Sequence, residues 1–242
     1  MDGSPTVFVG VDVQTRRGCA CAALDGDRAW LAGTWTAPLP RATGEPARRA
    51  HAAVAEAVVD FCRSFARTAT VAVGIDAPRA PLRAPRRWYW DGARRAWRPK
   101  ARSEKGLGRH ADVVVAAAEG VRIQWTPLAR GRRPGWMELG FAIFRGLEAA
   151  LGRSGVVHEV FPSASYAQFA RAPASLGRLD LRDFARGPKD MLDAAVAALT
   201  VCEFVAGRGC EVGGCDGQGT IVLARPVPAT TPEALLKGWR GL

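Results

Sequence analysis

The chain has 242 residues, 48% apolar and 24% charged, with a formal net charge of +11 and a pI near 10.2. That composition excludes fibrous, low-complexity and membrane-embedded classes and fits a soluble globular protein, most simply one domain spanning 1–242. No basic segment followed by an apolar run opens the sequence, so a cytoplasmic protein with no membrane partner is expected, and the positive charge points to a polyanionic partner, nucleic acid first.

Residues 6–13, TVFVGVDV, are a short apolar, β-branched run that reads as a buried strand. Asp12 is its anomaly, because a carboxylate in such a strand is costly to bury without a cation, a metal or a set of donors. Residues 14–18 form a polar turn, 19–24 a second strand, 25–27 (Asp-Gly-Asp) a turn and 28–36 a third strand carrying Trp30 and Trp35. Three strands joined by short turns predict an antiparallel meander. After a loop at 38–46, Ala50, Val54, Val58, Phe61 and Phe65 recur at helical spacing and predict a helix over 47–66. Residues 70–77, TVAVGIDA, form another apolar strand, ending near Asp76. A strand, a helix and a strand in succession make a crossover, which places this strand parallel to the first.

Residues 78–108 break the pattern and read as an insertion. Between Arg79 and Arg109 there are eleven Arg or Lys against two acids. Arg83, Arg86, Arg87, Arg94, Arg95, Arg98 and Lys100 are interleaved with Trp88, Tyr89, Trp90 and Trp97. Cations interleaved with aromatic rings suit phosphates and unstacked bases. An Arg-rich loop whose Trp side chains pack back on the domain fits equally. A helix follows at 108–119 with Arg109, His110 and Asp112; 121–125 is a short strand or an extended link, and 128–134 a second basic loop. Met137, Phe141, Phe144 and Leu147 predict an amphipathic helix over 136–151. Residues 156–162, VVHEVFP, are a further strand bearing Glu159. Residues 163–188 have no clear pattern beyond a short helical turn at 179–184; 189–205 is a strong helix, and 209–226 holds a Gly-rich hairpin with a strand at 220–223. The six cysteines lack a disulfide framework, and Cys210 and Cys215 lack a second pair at zinc spacing.

The last long helix begins KDMLDAAVAAL, so Asp190 and Asp193 lie three residues apart on one helical face. Together with Asp12, Asp76 and Glu159 they form a candidate acidic centre with Asp12, Asp76, Glu159 and Asp193 as catalytic residues and Asp12, Asp76, Asp190 and Asp193 as metal ligands. Clustered carboxylates repel one another and need divalent cations or raised pKa values. Oxygen ligands without His or Cys favour Mg²⁺ or Mn²⁺ over zinc. Such ions suit phosphodiester hydrolysis.

These pieces resemble the DUF429 family, predicted nucleases of the ribonuclease H-like superfamily. The matching segments are VGVDV at 9–13, VGIDAP at 73–78, RHAD at 109–112, EVFP at 159–162, DMLDAAVAAL at 190–199 and DGQGTIVLARP at 216–226. The D-x-x-D-A spacing also resembles the last helix of RuvC-type resolvases. The resemblance implies an α/β ribonuclease H-like fold, a mixed sheet of an antiparallel meander plus parallel strands flanked by helices. It implies that Asp12 is the first-strand ligand and Asp193 the helix ligand, with Asp190 in support, Asp76 at the end of the fourth strand and Glu159 near the same edge. Arg109 and Asp112 match an R-x-x-D pattern, and Arg109 is a candidate phosphate contact. Two positions depart from the family: Gly18-Cys19 stands for Gly-Trp, and Arg79 for a leucine. A non-catalytic nucleic-acid-binding protein on the same scaffold is the alternative, followed by an actin-like phosphotransferase, which calls for a duplicated domain that the sequence does not show.

Overall fold

The computed structural model describes residues 6–40, 44–91, 93–94, 96–131, 133–171 and 187–227. Its centre is a five-stranded sheet in the order β3-β2-β1-β4-β7, built from β1 (Thr6–Asp12), β2 (Ala20–Leu24), β3 (Trp30–Trp35), β4 (Thr70–Asp76) and β7 (Gly155–Glu159). The first three strands pair antiparallel, as the short turns between them require. β4 lies parallel to β1, and β7 parallel to β4. The sheet is therefore mixed, with its two central strands buried on both faces, which is why they read as unbroken apolar runs.

Helices α1 (Gly44–Ala66) and α3 (Gly135–Leu151) cover one face. Val9, Val11, Val73, Ile75 and Val157 point to them and meet Val58, Leu139, Ile143, Phe144 and Leu147 in the largest apolar cluster. The other face is held by α5 (Pro188–Val205). Here the helix sits unusually close. Gly10 and Gly74 pair across β1 and β4. A Cβ on Gly10 would overlap the Ala194 carbonyl, and one on Gly74 would lie 2.7 Å from the Ala197 carbonyl. Two glycines on the sheet and an alanine-rich helix surface let the backbones approach.

Helices α2 (His110–Glu119) and α4 (Pro162–Ala170) pack beside the hairpin of β8 (Cys210–Gly213) and β9 (Thr220–Leu223). The tail hairpin expected from the Gly-rich sequence is present, and the unassigned stretch after 162 begins with α4. The expected turn at 179–184 lies outside the described residues. Within the insertion, β5 (Trp88–Asp91) and β6 (Ala96–Pro99) form a two-stranded hairpin that the sequence pattern did not announce. Residues 121–125 are an extended link. The described cysteines are free thiols; Cys19, Cys21, Cys62 and Cys202 are buried core residues. No helix among the described residues is long and apolar enough to cross a membrane.

Candidate functional site

The spacing Gly-x-Asp occurs in both central strands, and its register makes a site. Asp12 and Asp76 are direct partners across β1 and β4, two residues beyond the paired Gly10 and Gly74. A period of two puts all four on the α5 face. Neighbouring strands lie about 4.8 Å apart, so the two carboxylates leave the sheet side by side. Ala194, whose carbonyl faces Gly10, is preceded by Asp193 and, one turn earlier, Asp190. The close contact that seats α5 on the strands thus also sets its acidic first turn over the ends of β1 and β4. The positive end of the helix dipole suits acids at this place.

Asp12 is 3% exposed, and its carboxyl is pushed up to about 7. Burial is the main cause, followed by the charges of Asp193 and Asp190, with a hydrogen bond from Gln14 and the Lys189 charge opposing them. Asp76 is pushed well above the ordinary carboxylate range by burial and then by Asp12, Asp193 and Glu159. Asp193 accepts hydrogen bonds from Tyr166 Oη at 2.8 Å and from Lys189 Nζ at 2.7 Å. Asp190 accepts one from Arg17 Nη2 at 2.6 Å. These partners leave two acids incompletely satisfied: Asp12 Oδ2 and Asp190 Oδ2 are buried and have no hydrogen-bond partner. Among the described residues no group of three or more His, Cys, Asp or Glu side chains is placed so that it could hold a metal ion. The donors themselves suit a hard divalent cation: carboxylate oxygens only, two of them buried and unsatisfied, in a field that disfavours a second negative charge. Asp12, Asp76, Asp190 and Asp193 supply these oxygens. A cavity of about 270 Å³ opens on Asp12 and Asp76, walled by Gln14, Arg122, Gln124 and Trp136.

Glu159 lines the same cavity and its charge bears on Asp76, but it is held differently. It pairs in register with Ile75, not Asp76, so its side chain leaves the sheet on the face opposite Asp12 and Asp76, and His158 takes the α5 face. The His158 ring stacks edge-on against Phe204 of α5, as that placement requires. The Glu159 carboxylate is instead clamped by Arg109, through Nη1 to Oε2 at 2.8 Å and Nη2 to Oε1, and by the Arg79 backbone N–H at 2.8 Å. Burial pushes the Glu159 carboxyl up while Arg109 opposes the shift. Glu159 therefore stands in the acidic cavity as a carboxylate already paired with Arg109, apart from the four aspartates.

The expectation for Arg109 is corrected. It is 1% exposed, and its Nε and Nη2 also donate to Asp112 Oδ1. Asp112 Oδ2 accepts the backbone N–H groups of Arg109 and Thr126. The R-x-x-D pattern is a buried brace that caps α2 and locks it to β7, not a phosphate contact. Burial opposes the Arg109 charge, but Glu159 and Asp112 outweigh it, so the guanidinium stays charged.

The cations of the insertion are also largely engaged. Arg86 is buried against the rings of Tyr89 and Trp125, which corrects its reading as a nucleic-acid contact. Arg98 grips Glu104 through two nitrogens, and Lys100 Nζ donates to the carbonyls of Ala101 and Glu104. Arg83, Arg87 and Arg94 are exposed, Trp88 is half-buried, and Arg95 lies outside the described residues. None of the described ones lines the acidic cavity.

Tyr166, Lys189, Gln14 and Arg17 are the polar neighbours that sequence reasoning missed. Lys189 and Asp193 stand four residues apart on a helix, a spacing that signals an ion pair. Tyr166 carries no signal in the sequence, because residues 163–188 have no clear pattern. No family model, curated protein or solved structure matches the chain.

Proposed function

We propose that the protein is a divalent-metal-dependent nuclease of the ribonuclease H-like kind, as its resemblance to the DUF429 family implies. The observation that carries this reading is the in-register pair Asp12–Asp76 beneath the acidic first turn of α5, with buried carboxylate oxygens left without partners. Asp12, Asp76, Asp190 and Asp193 would hold Mg²⁺ or Mn²⁺. Such an ion would supply an activated water and stabilise the charge that develops on a phosphodiester.

The chain's own groups do the rest. Asp12, raised to about 7, keeps its proton at mildly acidic pH and gives it up when a cation arrives, so the site favours loading above neutrality. Gln14 hydrogen-bonds the Asp12 side chain and helps to orient it. Tyr166 and Lys189 fix the Asp193 carboxylate, and Arg17 fixes one oxygen of Asp190 while leaving the other free. Glu159 and Arg109 act from behind, by holding α2 and the cavity wall against the end of β7.

The test is cleavage of a panel of single- and double-stranded DNA and RNA with Mg²⁺ or Mn²⁺. Asp12→Asn is expected to cut at least about a hundredfold more slowly. Unchanged cleavage by that variant would overturn the assignment. One observation favours a second reading, a nucleic-acid-binding protein without turnover: Lys189 already neutralises Asp193. Salt-dependent binding by a wild type that cuts nothing would select it.

A further inference from the structure

The acidic cavity does not end at Trp136. Gln14 and Trp136 wall both that cavity and a shallow depression that also contains Thr15, Arg16 and Arg17. Thr15 and Arg16 in turn wall a groove of about 1180 Å³ between α1 and α3. Shared walls set the three side by side as one series of depressions. It leads from the carboxylates, over the turn after β1, onto the opposite face of the sheet.

The groove is basic. Arg16, Arg48, Arg133 and Arg145 line it against a single acid, Glu138, with His51 between them. Arg133 is paired with Glu138, and Arg48 with Glu45 outside the groove. Arg16 and Arg145 are exposed, and neither has an ion-pair partner among the described residues. Two unneutralised guanidinium groups along an open groove are an electrostatic site for repeated phosphates, and half-buried Trp136 borders both the depression and the acidic cavity. The insertion offers less, since its Arg86, Arg98 and Lys100 are already committed.

We infer that a single-stranded phosphodiester chain enters along the α1–α3 groove, its backbone on Arg16 and Arg145, and passes Trp136 to reach the carboxylates. The inference rests on the nuclease reading for where the strand is going; the strand's path over the groove is the new element. It moves the nucleic-acid surface from the basic insertion, where sequence reasoning put it, to residues that are far apart in sequence. It commits to a single strand because a base can stack on Trp136 only when unpaired.

The test compares two variants that remove the same net charge: Arg16→Gln with Arg145→Gln in the groove, and Arg87→Gln with Arg94→Gln in the insertion. Binding of fluorescein-labelled single-stranded DNA and RNA of one sequence is followed by anisotropy in EDTA across a salt series, with circular dichroism to confirm folding. The groove variant is expected to bind at least about tenfold more weakly, and its salt slope to be shallower by about 1.4. The insertion variant is expected to stay within about twofold of wild type. The tighter of the DNA and RNA arms names the strand. Equal losses in both variants, a larger loss in the insertion variant, tighter binding of a blunt duplex, or no binding by wild type would each overturn the inference. Because the assay needs no turnover, the two ideas fail separately. Loss of binding in the groove variant with no cleavage by wild type removes only the nuclease reading. Metal-dependent cleavage with binding lost only in the insertion variant removes only the path.

Discussion

Two sets of buried acids flank the end of the same sheet, and they are built in opposite ways. On one side Glu159 and Asp112 are wrapped around Arg109, and every guanidinium nitrogen donates to a carboxylate. On the other, Asp12, Asp76, Asp190 and Asp193 gather with Lys189, Arg17 and Arg122 as cations at the rim and with two carboxylate oxygens left unpaired. Burial costs both sets. In the first the chain supplies the compensation from within, and the result is a brace. In the second the compensation is incomplete, and the proposal is that a cation from outside completes it. What separates a structural acid from a candidate functional one here is whether its partner is part of the chain.

The largest expected effect breaks the brace. Arg109→Met leaves Glu159 and Asp112 buried without a cation and is expected to cost about 3–5 kcal/mol of stability in urea unfolding. Adding Glu159→Gln and Asp112→Asn should recover part of that loss, which a purely steric role for Arg109 would not allow.

The acidic cluster should respond to pH in the opposite sense to an ordinary ion-paired carboxylate. Asp12 binds its proton more tightly folded than unfolded, rising from 3.8 to about 7. Below the lower value both states are protonated and nothing is lost. As pH rises from about 4 to about 7 the unfolded chain releases its proton first, so stability falls, by up to about 4 kcal/mol. Asp76, shifted the same way, adds to the fall. Asp12→Asn should flatten this dependence and be more stable than wild type at pH 8, as read from melts in metal-free buffer. A wild type whose stability rises across that range would contradict the cluster.

Cation binding should reverse the penalty. Mn²⁺ at a hundred times its dissociation constant should stabilise the wild type by about 2.7 kcal/mol and leave Asp12→Asn nearly unmoved. Arg109→Met, if folded, should keep its response to Mn²⁺, since the brace is not the site. The smallest effect belongs to the rim. Lys189 is largely exposed, so Lys189→Met is expected to change stability by less than about 1 kcal/mol while raising the Asp12 proton affinity further.

The contrast also explains what could be read from residues alone. The meander, the crossover to β4 and the length of α5 follow from local periodicity and short turns. Asp12, Asp76, Asp190 and Asp193 come together because each follows a feature visible in the sequence, Gly-x-Asp in two strands and an alanine-rich helix start. The pairing of Glu159 with Arg109 is not legible, because alternation within a strand says which residues share a face but not which face that is. The register of β7 against β4 decides it, and it sets Glu159 opposite Ile75. Arg109 and Arg86 were misjudged because a basic residue looks alike in sequence whether it is solvated or enclosed; their enclosing partners, Glu159 and Trp125, are remote in the chain. The α1–α3 groove was illegible for the same reason, since Arg16, Arg48, Arg133 and Arg145 form no run.

The central claim is that the four aspartates hold one cation-binding centre. Anomalous diffraction from a crystal soaked in Mn²⁺ tests it most directly. The account predicts a peak at roughly 2–2.5 Å from carboxylate oxygens of Asp12 and at least one of Asp76, Asp190 and Asp193, absent in Asp12→Asn. An ordered crystal with no peak there, or with its strongest peak on other residues, would contradict it.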